Sequence, residues 1–208
     1  MKIWMFAALC SLSAAGQAHE VWIERDGTGP ARIYLGEPAQ PMPAGGDPEF
    51  KHLKAPHLSP TAKAPLQRRA GYLEAMVPAG DVRAWDDAVF APWGEANARE
   101  GVVYYARAGR GEAKAALPLE LAPVTVNGDR FVLTRDGAPV ADTEVTIIAP
   151  DKTSVKRTTD AGGVVDAAPQ AKGRYLLVAT VKDDGARAAN GETLKTLYRI
   201  TTTSFVVP

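Results

Sequence analysis

Residues 130–163 read RFVLTRDGAPVADTEVTIIAPDKTSVKRTTDAGG, and their rhythm decides the fold. Apolar and β-branched residues gather at 130–134, 144–148 and 154–158. Turn formers separate them: Asp136-Gly137, Pro150-Asp151, then Asp160-Ala161-Gly162-Gly163. Short strands with turn signals at intervals of about ten residues are the pattern of a β-sandwich. Glycine in the last of these turns supplies the positive φ that other residues avoid. Further on, 175–181 sets Leu176, Val178 and Thr180 on one face. A polar loop at 182–192 then leads into a last run at 197–207. Within that run Thr201-Thr202-Thr203-Ser204 reads as an edge or half-exposed strand, polar but of good β propensity.

The pattern continues, less regularly, toward the N-terminus. Leu117, Leu119 and Leu121 alternate within 113–123, and 102–105 is a continuous run that reads as a central strand. In 82–85, Val82 and Ala84 face one way, Arg83 and Trp85 the other. Shorter strands are expected at 21–23, 32–35 and 73–77. Between residues 37 and 65 seven prolines intervene, so no long strand runs there. One short helix is expected, with Asp47 as N-cap, Pro48 at the first helical position, and Pro56 as the stop. No helix of more than two or three turns is predicted. The expectation is an all-β protein with two small antiparallel β-sandwich domains of immunoglobulin-like or transthyretin-like type. The first spans 19–123 and carries the proline-rich loop. The second spans 124–208 after a polar join at 124–129, and should fold alone.

The first eighteen residues have a different character. Lys2 gives a positive start, 3–12 is apolar, and Gly16-Gln17-Ala18 puts small residues where a signal peptidase cuts, before His19. The apolar run falls short of the ~20 residues a membrane helix needs. Residues 1–18 are therefore expected to be a signal peptide, with the mature chain periplasmic and without a membrane span. Cleavage after Ala15 is the competing site. Cys10, the single cysteine, lies inside this leader, so the mature chain has no thiol for a disulfide, a thiolate site or a nucleophile. The formal net charge is zero, which gives no electrostatic case for nucleic acid.

A search for catalytic patterns finds no GxSxG, HExxH or P-loop. Gly109-Arg110-Gly111 follows a strand but opens no helix, so it is not a nucleotide fingerprint. Asp86-Asp87 reads as an exposed turn, and Glu20 and Glu24 as surface charges, while Trp22 reads as core. No enzyme activity is expected. The chain has three histidines, His19, His52 and His57. If cleavage exposes His19, one residue offers an imidazole and an α-amine whose ordinary pKa, about 7.7–8.0, lets a metal displace its proton. Nitrogen donors of this kind suit nickel, cobalt or copper. His52 and His57 lie in the proline-rich segment, and either could join. His57 is slightly preferred, because Pro56 and Pro60 flank it.

The segment Ala18-His19-Glu20-Val21-Trp22-Ile23-Glu24 resembles the mature start of a bacterial periplasmic family of unassigned function, whose chains begin His-Asp/Glu-x-Trp. Members of that family are often described as the periplasmic component of nickel or cobalt uptake. The stretches 131–133, 137–140, 159–163 and 173–175 are similar to transthyretin-like and carboxypeptidase-regulatory-like sandwiches. The resemblance implies a metal role for His19 and an envelope transport component as partner. The expected function is a periplasmic transition-metal-binding or metal-uptake accessory protein. The alternative is a non-catalytic envelope module that binds protein or glycan, which Trp85 and Trp93 in a common groove would favour. An oxidative copper enzyme with a histidine brace would need a second histidine near His19 and a flat site.

Overall fold

A computed structural model describes residues 19–54 and 56–208. The expected signal peptide therefore lies outside the described residues. Strand follows strand along the chain. Before the join come β1 (Glu20–Arg25), β2 (Ala31–Gly36), β3 (His57–Ser59), β4 (Gln67–Arg68), β5 (Leu73–Ala75), β6 (Val82–Asp86), β7 (Glu100–Ala108) and β8 (Leu119–Pro123). After it come β9 (Arg130–Arg135), β10 (Ala138–Pro139), β11 (Glu144–Ile148), β12 (Ser154–Thr158), β13 (Val164–Asp166), β14 (Gly173–Asp184) and β15 (Thr196–Val207). The one helix among the described residues is a single 3-10 segment, Pro48–His52, capped by Asp47 as its sequence requires. The protein is all-β.

The strands form three sheets. One outer sheet runs β1-β2-β5-β4 and the other β10-β9-β13, with β8 beside β9. Between them lies a seven-stranded sheet, β12-β11-β14-β15-β7-β6-β3. Its pairs are antiparallel except β15 with β7, which run parallel from Thr196↔Glu100 to Ser204↔Ala108. Residues 123 and 124 divide the chain but not this sheet, which takes β3, β6 and β7 from one side and β11, β12, β14 and β15 from the other. Two cores result, on opposite faces of one layer. Ile23, Ile33, Leu35 and Leu73 pack against Tyr104, Ala106, Ile148, Leu176, Val178 and Ile200. Leu119, Leu121, Phe131 and Leu133 pack against Tyr105, Ile147, Leu177, Ala179 and Phe205. Successive residues of one strand thus serve different cores, because strand side chains alternate in direction. The two sandwiches share their middle layer.

That sharing changes the meaning of Thr201-Thr202-Thr203-Ser204. All four are fully buried at the centre of β15, not at an edge. The Thr202 hydroxyl donates to the Val21 carbonyl at 2.8 Å, and Ser204 donates to Ile23, both on β1. The Thr203 hydroxyl points to the other face and donates to Leu121 on β8 at 2.8 Å. Short side chains let β1 and β8 approach closely, and each hydroxyl meets a carbonyl there, so burial leaves these three satisfied.

A charge cluster fills the sheet beside β8. Arg107 and Glu120 are both fully buried. Glu120 accepts from Arg107 Nη1 at 2.6 Å, Arg83 Nε at 2.9 Å, and the backbone N–H groups of Ala116 and Leu117 at 2.7 and 2.8 Å. Asp81 takes Arg107 Nη2 at 2.5 Å and the N–H groups of Gly111 and Glu112. The Gly109-Arg110-Gly111 turn exists to wrap this carboxylate. A Cβ on Gly109, whose φ is +108°, would stand 2.2 Å from Asp81 Oδ1.

Candidate functional site: a histidine and aromatic cleft

His19 immediately precedes β1, and the 3-10 helix is what holds its side chain. Asp47 caps that helix by accepting from the Glu49 N–H at 2.7 Å. The same Oδ1 lies 3.2 Å from His19 Nε2. One turn on, Glu49 Oε2 lies 3.2 Å from His52 Nε2. Five residues of helix therefore place two histidines, each backed by a carboxylate. Both pack around one ring: His52 is 5.3 Å and His19 6.5 Å from Phe90 between centroids.

The two histidines line a cleft of about 750 Å³. Strands of the middle sheet contribute Glu100, Val102 and Tyr104 from β7, Thr180 and Lys182 from β14, and Tyr198 and Ile200 from β15. The 90–93 loop adds Phe90, Ala91 and Trp93. Trp93 and Tyr198 stack at 6.2 Å and 15°. Glu100 binds them both, accepting from Trp93 Nε1 at 3.2 Å and from the Tyr198 hydroxyl at 3.3 Å. The Lys182 ammonium sits 5.2 Å from the Tyr198 ring centre, a cation–π distance. Among the described residues it has no acidic partner within salt-bridge distance.

Glu20, next to His19, is half-buried rather than a surface charge. Burial and, after it, the negative charge of Glu37 push its carboxyl up to about 8, while a backbone hydrogen bond pulls the other way. Burial also raises the Tyr104 phenol, with the Glu20 charge adding to it. Trp22 is in the core, stacked on Tyr34 at 5.1 Å. Asp86 is buried rather than on an exposed turn. Its Oδ1 accepts from the Ala88 N–H at 2.9 Å, and burial raises its carboxyl.

The three histidines do not converge. His19 and His52 share the cleft; His57 lies on β3, paired with Trp85 on β6, its ring stacked on the indole at 4.9 Å. Trp85 is not among the cleft residues, so it and Trp93 do not share this groove. Among the described residues no three histidine, aspartate or glutamate side chains gather as a metal-holding group. The donors at the cleft are thus two imidazoles with carboxylates behind them, an arrangement that orients an imidazole for coordination. Sequence reasoning did not reach Phe90, Tyr104, Tyr198, Glu100 or Lys182, which come together only through the middle sheet.

Comparison of the chain with protein-family models, curated proteins and solved structures finds no match. The functional reading rests on the residues themselves.

Proposed function

We propose that this is a periplasmic accessory protein for transition-metal binding or uptake, with no catalysis of its own, and that its metal site is built on His19. One observation carries the reading. His19 Nε2 faces Asp47, which leaves Nδ1, the nitrogen nearer the backbone. An N-terminal histidine closes a six-membered chelate ring through that nitrogen and its α-amine. The carboxylate behind Nε2 fixes the ring orientation and raises its donor strength. His52, in the same cleft, is a better second donor than His57, which is stacked on Trp85. Nickel, cobalt and copper all accept two or three nitrogen donors.

The processed chain should begin His-Glu-Val-Trp by N-terminal sequencing. It should bind one Ni(II) or Cu(II) in calorimetry. One additional residue before His19, which turns the amine into an amide and alters no side chain, should abolish tight binding. His52→Ala should weaken binding and His57→Ala should leave it unchanged. Equal affinity of the extended and native chains for both metals would remove the amino-terminal site. The exposed Trp93, stacked on Tyr198, supports the second reading, an envelope glycan-binding module. That reading would then lead.

A further inference from the structure

The cleft is much larger than a metal ion needs. A water occupies about 30 Å³ of liquid, so an ion with its hydration shell fills only a fraction of 750 Å³. The volume falls instead in the range of small-molecule sites, which run from roughly 300 to 1,000 Å³. Its lining is also wrong for a hydrated ion. Phe90, Trp93, Tyr104 and Tyr198 present aromatic surface, which stabilises a ligand that has apolar faces to bury.

The charges agree. A free dication in this cleft would meet the Lys182 ammonium, which has no acidic partner among the described residues. The acids around it are engaged already: both oxygens of Glu100 accept from Trp93 and Tyr198, and Asp47 and Glu49 face the two imidazoles. A carboxylate on the ligand would reverse the mismatch, pairing with Lys182 while the ring beneath that ammonium stacks on the ligand's own skeleton.

We propose that the cleft takes its metal already held by a small planar carboxylate chelator, with the ion on His19, the carboxylate at Lys182, and the chelator's flat face against Trp93 and Tyr198. This rests on the metal reading of His19 given above.

Calorimetry on the processed chain tests it with three probes: Cu(II) sulfate, the one-to-one Cu(II) complex of pyridine-2-carboxylate, and pyridine-2-carboxylate alone. The complex should bind about ten-fold or more tighter than the ion, the equivalent of one charge-assisted contact. Lys182→Met keeps the stem over Tyr198 and removes the charge. It should weaken the complex and, by removing a like charge from the cleft, leave the ion alone bound at least as tightly as by the native chain, so the advantage of the complex disappears. Trp93→Ala should reduce the advantage too, with the melting temperature of each variant recorded to show that it is folded. Equal binding of ion and complex by the native chain would overturn the proposal and leave the metal reading standing. Metal-free chelator binding as tightly as the complex would also overturn it, since the ion would then contribute nothing. Failure of both ion and complex to bind would bring down the metal reading itself.

Discussion

Glu120 and Glu20 stand in contrasting surroundings. Glu120 is fully buried and accepts four hydrogen bonds, two from arginines and two from backbone N–H groups. Glu20 is only half-buried, yet no side-chain donor meets it among the described residues and its carboxyl is pushed up to about 8. The region around Glu120 is chemically complete: each acid has its cation, and the turn at residues 109–111 closes over it. The cleft beside Glu20 is incomplete, with an ammonium that lacks an acid among the described residues, two oriented imidazoles and a wall of aromatic rings. Dense charge at the first place serves the fold. Sparse, unmatched charge at the second is where a ligand can add something.

The harshest way to break this contrast is to delete the completed region. Residues 124–208 alone lack β1 to β8, so the face of β14 and β15 that packs on β1 and β2 and the parallel edge of β15 that pairs β7 lose their cover. The expectation is loss of cooperative unfolding, read by circular dichroism in urea; a sharp transition would show that the second sandwich does not need the shared layer. Next in size is Glu120→Ala, which strands Arg83 and Arg107 without their shared acid. Removing one partner from a buried ion pair costs about 3–5 kcal/mol, whereas Trp93→Ala in the cleft should cost about 1 kcal/mol or less, as for a partly exposed site. Similar losses at the two sites would mean that the cleft, too, is structural. A pH dependence tests the cleft side of the contrast. The folded chain holds the Glu20 proton up to about pH 8, while the unfolded chain releases it near 4.5. Folding takes up a proton between those values, so the stability that neutral Glu20 supplies is complete below 4.5 and declines as pH rises toward 8. Glu20→Gln should flatten that decline, measured as the difference in urea midpoint between native and variant chains across the window. A difference that does not change with pH would place the Glu20 carboxyl in water.

Much of this architecture could be read from the sequence. The strands at 144–148 and 154–158 fall where alternation and turns put them, as do the Asp47 cap and Pro48. What failed was the inference from polarity to exposure. Thr201 to Ser204, which read as an edge or half-exposed strand, lie in a layer covered on both faces, where alternation separates one core from another and no longer separates core from water. Polar residues survive there because their partners come from strands far along the chain, which no local window contains. The site has the same history. His19 was visible as a candidate donor. The preference for His57 over His52 looked to flanking prolines, whereas the arrangement follows from the 3-10 turn that brings Glu49 under His52. Glu20 reads as a surface charge because it alternates with His19 along a strand, and neither Glu37 nor Tyr104 is near enough in sequence to show otherwise.

The hydroxyl strand, finally, sets a clock. β15 is the last strand of the described chain, and it gives Ile200 to one core and Phe205 to the other. Its parallel partner β7 is separated from it by the whole series from β8 to β14. Pairing at such long sequence separation is slow to find, and neither core can close before it happens. Every strand from β7 to β15 must therefore be in place before either half can reach its final form.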